Sequence, residues 1–208
     1  MNFNKKNPGK LFVFSGPSGA GKGTICKSLL EQMSEVAISV SMTTRKPRVG
    51  ETEGINYFFT DKNKFEENIA CNNFLEYAEV YGNYYGTPKG PVLKKLSEGI
   101  DVILEIDMQG ALKIKENYPE GVFIFILPPS MAELRKRLTG RGTETEEAIE
   151  MRLGETLKEL SYIDKYDYCV VNGVLEEAVA RVKAIVVAEH SKVAFTAEEL
   201  IESYKEEV

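Results

Sequence analysis

A glycine-rich segment with a lysine near its end carries the clearest chemistry in this sequence. Residues 16–24 read Gly-Pro-Ser-Gly-Ala-Gly-Lys-Gly-Thr. Glycines allow successive backbone N–H groups to curl around an anion, and Lys22 could reach the outer phosphates of a nucleotide as a point charge. The spacing matches the phosphate-binding motif G-x-x-x-x-G-K-[ST] as far as the lysine. The segment therefore predicts binding of a nucleoside triphosphate.

The match to this motif ends one residue early. Gly23 stands where Ser or Thr usually follows the lysine, and Thr24 comes one place later. In the usual motif this hydroxyl binds Mg²⁺. Two alternatives remain for the metal, which could be held through phosphates and waters or by Thr24. An ordinary glycine-rich turn before a helix is the other interpretation of the segment.

Two groups of arginines could contact further phosphates. Arg45 and Arg48 flank a Lys-Pro pair, and guanidinium groups bind phosphate with paired N–H bonds. Arg137, Arg141 and Arg152 could stabilise a transferring phosphoryl group from a mobile lid. Viewed alone, the first group is also compatible with a solvated basic loop. The second is also compatible with a basic helix that pairs with Glu144, Glu146 and Glu147. Beside a triphosphate loop, they indicate a kinase whose acceptor is itself phosphorylated.

An acidic residue follows one of the apolar runs. Asp107 comes directly after Val102–Ile106, and a carboxylate at a strand end beside a phosphate loop can hold Mg²⁺ or its waters. Elsewhere such an aspartate is usually a turn residue. The sequence shows no nucleophile with a partner base and no spacing typical of a metal cage, and its one histidine, His190, is interpreted as structural or solvated. This pattern favours direct transfer by positioning and electrostatics.

The elements that would position these residues alternate between strand and helix. Apolar runs near residues 11–14, 102–106, 122–127 and 168–171 predict strands. Segments with apolar residues at helical spacing follow these runs and predict helices. Asp61, Ser130–Glu133 and Thr143–Glu146 are predicted helix caps. The alternation predicts an α/β fold with a parallel sheet core flanked by helices.

Residues from about 39 to 88 interrupt the alternation. Strand patterns at Tyr57–Phe59 and Phe74–Val80, with a predicted turn at Tyr81–Gly86, indicate an inserted strand-rich block. We therefore predict three parts. They are a core with the phosphate-binding loop (1–38, 89–130 and 156–208), an acceptor-binding domain (39–88) and a helical lid (131–155).

Composition, net charge and cysteine spacing argue against several classes of protein. The chain has 208 residues, of which 43% are hydrophobic and 28% charged, and its net charge of −6 argues against a broad nucleic-acid surface. Cys26, Cys71 and Cys169 have no metal or disulfide spacing and are interpreted as reduced thiols. The first residues, Met1–Lys6, lack the apolar core expected of a signal peptide, and no apolar run approaches membrane-spanning length. We expect a cytoplasmic protein without nucleic-acid or membrane partners, either a monomer or a homodimer.

Several longer stretches resemble the guanylate kinase family. They are Ser41–Glu51 with Gly54 and Tyr57, the region of Glu76 with residues 82–87, Glu105–Gly110, and residues 137–147. The resemblance spans about residues 9 to 190. It implies a P-loop nucleoside monophosphate kinase fold, and Mg²⁺-dependent transfer of the ATP γ-phosphoryl group to GMP, giving ADP and GDP in purine nucleotide metabolism and GMP recycling. The Gly-Lys-Gly-Thr ending of the loop is more like adenylate kinases, and it leaves the Mg²⁺ contact open.

The resemblance also implies roles for individual residues. The GMP phosphate would be bound by Ser41, Arg45, Arg48, Tyr57 and Tyr85. The guanine would contact Glu76, Thr87 and Asp107. ATP would be bound by Gly16, Pro17, Ser18, Gly19, Ala20, Gly21, Lys22, Gly23 and Thr24, with Asn172 beside the adenine. The catalytic residues would be Lys22, Arg45, Arg137, Arg141 and Arg152.

The chemistry of the bases supports the assignment of Glu76. Guanine offers two donors, N1–H and an amine, to a carboxylate, whereas adenine has an acceptor at N1 and would leave a buried carboxylate unpaired. dGMP is a further expected acceptor. Two other interpretations stay open at this point. One is a nucleoside monophosphate kinase of different base preference, and the other is a non-catalytic binding module, as found in related scaffolding domains.

Overall fold

The computed structural model describes residues 8–80, 82–140, 145–192 and 197–205. The strands are β1 (Leu11–Ser15), β2 (Val36–Ile38), β3 (Met42–Thr43), β4 (Phe58–Phe59), β5 (Phe74–Val80), β6 (Asn83–Pro88), β7 (Asp101–Glu105), β8 (Val122–Leu127) and β9 (Tyr168–Val171). The helices are α1 (Lys22–Gln32), α2 (Lys62–Ala70), α3 (Lys89–Ser97), α4 (Met108–Asn117), α5 (Met131–Thr139), α6 (Glu146–Leu160), α7 (Leu175–His190) and α8 (Ala197–Lys205).

The predicted parallel sheet is confirmed. Within the described residues, five strands pair in the order β2-β7-β1-β8-β9, and every pairing is parallel. Successive side chains of β1 point to opposite faces of the sheet. Phe12 and Phe14 pack in the cluster that includes α1 and α7, whereas Leu11 and Val13 pack in the cluster that includes α3 and α4. Because helices cover both faces, β1 is buried along its whole length.

The inserted block forms a second sheet in the order β4-β3-β6-β5. Its small core centres on Phe65 of α2, which is fully buried. The Phe65 ring stacks on Phe74 at 4.5 Å and on Tyr84 at 5.2 Å between ring centroids. A Cβ at Gly86 would lie 2.9 Å from the Phe74 ring and 3.1 Å from the Phe65 ring, so β6 can approach these rings only because residue 86 lacks a side chain.

The prediction of a turn at Tyr81–Gly86 is wrong for most of that segment. Residues Asn83–Pro88 form β6, which pairs antiparallel with β5, and the turn is confined to the start of the segment, where Gly82 has a φ of +74°. Tyr81 lies outside the described residues. Asn, Gly and Pro are depleted in strands, but pairing with two neighbouring strands overrides that weak preference.

Most of the predicted helix signals are found in the structure. The Asp61 side chain accepts from the Lys64 N–H, and Ser130 accepts from the Glu133 N–H. Helix α6 is capped by Thr145, which accepts from Ala148 N–H, rather than by Thr143, which lies outside the described residues with Glu144. A capping side chain satisfies a backbone donor that the first helical turn leaves without a partner.

Candidate active site

The glycine-rich segment connects the end of β1 to the start of α1, as predicted. Gly16 has a φ of +134°, and a Cβ there would lie 2.1 Å from the Ile126 carbonyl oxygen. Gly21 has a φ of +88°, and its Cβ would lie 2.4 Å from Nδ2 of Asn172. Both positions therefore require glycine for backbone conformation and for space. The result is a loop whose backbone N–H groups precede a helix N-terminus, an arrangement suited to an anion.

Lys22 folds back over this loop. Its Nζ donates to the carbonyl oxygens of Gly16 at 2.5 Å and Pro17 at 3.2 Å. Burial lowers the pKa of Lys22, and the nearby Glu105 carboxylate opposes that shift. The two carbonyl contacts hold the ammonium group at the rim of the loop, within the region where phosphates would lie.

Three of the predicted site residues reach the loop from the far end of the sequence. Asn172, at the end of β9, is 6% exposed and donates to the Ala20 carbonyl at 2.8 Å. Arg137 of α5 donates to the Asn172 carbonyl at 2.9 Å, and Arg152 of α6 donates to Ser18 Oγ at 2.7 Å. Arg141 lies outside the described residues. The structure thus brings Arg137, Arg152 and Asn172 together with the glycine-rich segment.

A cleft of about 240 Å³ opens between the two sheets. Most of the side chains predicted to bind the acceptor line it. The lining residues are Ser41, Tyr57, Glu76, Ala78, Val80, Tyr85, Gly86, Glu105, Ile106 and Asp107. The cleft meets the glycine-rich segment through Glu105, at the end of β7, which lies between the two.

The Glu76 carboxylate faces this cleft from β5. It accepts a hydrogen bond from the buried Thr87 hydroxyl at 2.7 Å. Desolvation raises the pKa of Glu76, and the Thr87 hydrogen bond works in the opposite direction. Asp107 caps α4 by accepting from the Gly110 N–H at 2.8 Å. The cleft thus holds three carboxylates, those of Glu76, Glu105 and Asp107, and burial raises the pKa of both glutamates.

Arg45 and Arg48 are placed differently. The Arg45 side chain is only 15% exposed and pairs with Glu51, and its guanidinium carbon lies 5.4 Å from the centre of the Tyr57 ring. The Tyr57 ring in turn meets Tyr85 edge-on at 6.0 Å. Arg48 is exposed. The structure therefore groups Arg45, Tyr57 and Tyr85 in one cluster, with Arg48 at its outer edge.

Glu105 lies in the site although no sequence pattern predicted a role for it. Its carboxylate lies beside Gly23, where an added Cβ would be 3.4 Å from Oε2. Desolvation raises the pKa of Glu105, whereas the Lys22 ammonium and the Gly23 N–H favour its charged form. The available signal was a glutamate ending an otherwise apolar strand, two residues before Asp107. Asp107 is not in that strand, because β7 ends at Glu105.

Comparison with known proteins decides the family. A family model described as guanylate kinase matches residues 8–189. The chain belongs to the guanylate kinase family. It is 57% identical over 204 residues to a guanylate kinase of Clostridium perfringens (strain SM101 / Type A), covering 98% of this chain and 94% of the relative. It is 55% identical to a guanylate kinase of Clostridium acetobutylicum, covering 94% and 93% of the two chains.

A solved structure gives the same result for the fold. The crystal structure of guanylate kinase from Anaplasma phagocytophilum superposes with a TM-score of 0.77 at 37% identity, covering 95% of this chain and 96% of that one. The guanylate kinase resemblance is therefore confirmed, and with it the fold class of a nucleoside monophosphate kinase, a phosphotransferase. Within the described residues, no helix is long and apolar enough to cross a membrane.

Proposed function

We propose that this guanylate kinase transfers the γ-phosphoryl group of ATP to GMP or dGMP across the junction of the glycine-rich segment and the cleft. The observation that carries the proposal is the Glu76 carboxylate, which faces the cleft in a desolvated setting and is oriented by Thr87. An ionised carboxylate pairs with the two donors on guanine and repels the acceptor on adenine. GMP in the cleft and ATP on residues 16–24 would meet at Glu105.

The acceptor phosphate would lie at the Arg45, Tyr57 and Tyr85 cluster, with Ser41 lining the same cleft. A guanidinium edge and phenolic hydroxyls supply several donors to one phosphate. Arg48 would join them from the outer edge. Thr87 and Asp107 would contact the guanine beside Glu76. A clamp of this kind holds the acceptor oxygen at the reacting distance and lowers the entropic barrier to transfer.

Arg152 contacts the loop at Ser18, and Arg137 contacts Asn172, which itself donates to the loop carbonyl of Ala20, so both arginines lie where phosphates of ATP would be bound. We infer that they, with Lys22 and Arg141, neutralise the charge that is redistributed during transfer. Residues 131–155 would act as a lid and residues 39–88 as the moving acceptor domain, which together exclude water from the reacting groups. Asn172 would lie beside the adenine.

The residues around Gly23 fit a Mg²⁺ ion bound together with ATP. Carboxylate and hydroxyl oxygens are suitable ligands for Mg²⁺, directly or through waters, and Glu105, Asp107 and Thr24 offer them here. Within the described residues, no group of three or more His, Cys, Asp or Glu could hold a metal by itself. Phosphate oxygens would therefore complete the coordination, and the ion would neutralise phosphate charge.

Activity with a panel of acceptors tests the proposal. ADP production would be measured with Mg²⁺ATP and, in turn, GMP, dGMP, AMP, CMP and UMP, with Lys22→Ala as the control. We expect turnover with the two guanine nucleotides well above the others and its loss in the control. Turnover with AMP instead would show that the Gly-Lys-Gly-Thr ending predicts the acceptor better than Glu76 does.

A further inference from the structure

Glu51 makes three hydrogen bonds that converge on the arginine loop, residues 45–51. Its two carboxylate oxygens accept from both terminal nitrogens of Arg45, at 2.8 Å and 3.0 Å. The oxygen that receives the longer of these bonds also accepts from the Arg48 backbone N–H, at 2.7 Å. The side chains of Arg45 and Glu51 are only 15% and 18% exposed. One carboxylate thus holds both the side chain of Arg45 and the backbone of Arg48.

This pairing leaves Arg45 in a defined orientation. The Lys46 carbonyl accepts another bond from Nη1 at 2.8 Å, so three of the five N–H donors of the guanidinium are directed toward the loop itself. The Tyr57 ring lies beside the guanidinium, and the Tyr85 hydroxyl interacts with it. Tyr57 and Tyr85 also line the cleft. The contacts with Glu51, Lys46, Tyr57 and Tyr85 therefore hold the guanidinium of Arg45 next to the cleft.

We propose that Glu51 is a positioning residue for the phosphate of the nucleoside monophosphate, acting through Arg45 and Arg48. The inference rests on the proposed assignment of these two arginines to that phosphate. Holding a flexible guanidinium in place before the ligand arrives lowers the entropy lost on binding. Arg45 and the backbone of Arg48 share one anchor, so their positions are set together.

A carboxylate beside a phosphate site could also weaken binding of the phosphate, by competing with it for Arg45. The geometry favours positioning, because a third bond from the Arg48 N–H ties Glu51 to its own loop. The hydrogen bonds from Arg45 and then Arg48 hold the pKa of Glu51 below its usual range, so it is charged at neutral pH. The two roles predict changes of opposite sign in affinity for GMP, which makes them separable.

The test compares Glu51→Gln and Glu51→Asp with the wild-type chain. Gln has nearly the same shape but no charge, and its NH₂ group faces the guanidinium. Asp keeps the charge but is one methylene too short to span both arginines. We expect both variants to raise KM for GMP by about 10-fold, the scale on which loss of a supporting partner weakens a binding site, with KM for ATP unchanged. Glu79→Gln, an exposed residue on the opposite face of β5 from the cleft, is the matched control.

Binding of guanosine separates positioning from damage to the fold. Guanosine lacks the phosphate, so positioning predicts a weaker Kd for GMP and an unchanged Kd for guanosine in both variants. Equal weakening of the two ligands would show a merely structural role. A lower KM for GMP would support competition, an unchanged KM in both variants would show that Glu51 does not act on this site, and a wild-type KM in Glu51→Asp alone would show that charge alone matters. Any of these results overturns the inference.

Arg45→Ala separates this inference from the assignment on which it rests. If Glu51 acts through Arg45, Glu51→Gln adds little to the loss already caused by Arg45→Ala, and the two effects are not additive. Weak GMP binding in Arg45→Ala with normal binding in Glu51→Gln would overturn the role of Glu51 alone. Unchanged GMP binding in Arg45→Ala would overturn the phosphate assignment and the role of Glu51 together.

Discussion

The protonation state of Glu76 determines whether this residue can pair with guanine in the way we propose. The sequence could predict this residue only through its resemblance to a family, because an isolated glutamate in a strand carries no signal of its own. The structure adds what the sequence could not contain, which is the Thr87 hydroxyl at 2.7 Å and the burial that raises the pKa of Glu76. Thr87 pairs with residue 76 only through the register of β5 and β6, which was not predicted.

Replacing Glu76 by Gln should reduce the preference for GMP. The amide keeps one acceptor but presents a donor to the donors of guanine, while that same donor suits N1 of adenine. We expect kcat/KM for GMP to fall on the order of 100-fold, within the range seen when a buried hydrogen-bonding group loses its match, and the ratio of GMP to AMP turnover to fall with it. Steady-state rates with both acceptors measure this. An unchanged ratio would remove Glu76 from base recognition.

The raised pKa of Glu76 also predicts a dependence on pH. If the ionised form of Glu76 binds guanine as proposed, KM for GMP should rise as pH falls through the raised pKa. The phosphate of GMP also takes up a proton near pH 6, and Glu76→Gln reports the pH dependence that remains without Glu76. KM profiles for the two proteins should therefore diverge at acidic pH. Parallel profiles would contradict a titrating Glu76.

The same shift affects stability with a definite sign. A carboxyl group whose pKa is raised in the folded state disfavours folding when it is ionised. Glu76 should therefore decrease the free energy of unfolding at neutral pH. That loss should disappear as pH falls below the usual pKa of a glutamate.

At the scale of helices and strands, the elements predicted correctly are those specified by residues that lie close together in the sequence. Asp61 and Ser130 cap helices through bonds to residues three places ahead, so a short stretch of sequence specifies them. The apolar runs that became β1 and β8 were equally clear, because central parallel strands are buried on both faces. β6 was missed because its residues, which include Asn, Gly and Pro, carry no strand pattern of their own, and only pairing with β5 across the hairpin and with the more distant β3 makes them a strand.

Phe65 should be critical to the inserted block, since its ring is fully buried between Phe74 and Tyr84. Phe65→Ala should lower the free energy of unfolding by about 3–5 kcal/mol, through lost burial and the cavity left behind. Urea denaturation followed by circular dichroism measures this change. Val49→Ala, at a fully exposed position of the same block, should have an effect within about 0.5 kcal/mol. Equal effects of the two substitutions would contradict the proposed core.

At the scale of the molecule, the proposed active site depends on the topology of the fold. Lys22, Glu76, Arg137 and Asn172 are far apart in sequence, and the sheet order and the inserted block bring them to one region. Sequence could predict the parallel α/β architecture from its alternation. It could not predict which side chains would touch, and so Glu51 and Glu105 were found only in the structure.

The opposite end of β7 has a structural role. Asp101 is 2% exposed and accepts from the Lys10 backbone N–H at 2.7 Å and from His190 Nε2 at 2.8 Å, so it joins the start of β1 to the end of α7. Asp101→Ala should lower the free energy of unfolding by about 1–3 kcal/mol, since two partly buried donors lose their buried acceptor. Because a strand rises about 3.3 Å per residue, Asp101 lies well away from Glu105 and the cleft, so kcat should be unchanged.

Chemical denaturation and ADP production together test this separation of roles. Asp164→Ala, at an exposed carboxylate, is the control and should change neither quantity. A loss of kcat in Asp101→Ala without a loss of stability would show that this end of the sheet contributes to the reaction.

The position of β1 in the sheet has a consequence for the chain during its synthesis. β1 leaves the ribosome first, but its neighbours β7 and β8 are encoded far downstream, at Asp101–Glu105 and Val122–Leu127. The second sheet and α2, by contrast, use only the continuous stretch from Met42 to Pro88. Because contacts between distant segments form late and units fold as they emerge, the block that holds Glu76 should be completed first. β1 therefore has no partner strand until β7 has been translated, and its second edge stays unpaired until β8 follows, so the glycine-rich segment that is proposed to bind ATP is placed in its sheet only after the inserted block has formed.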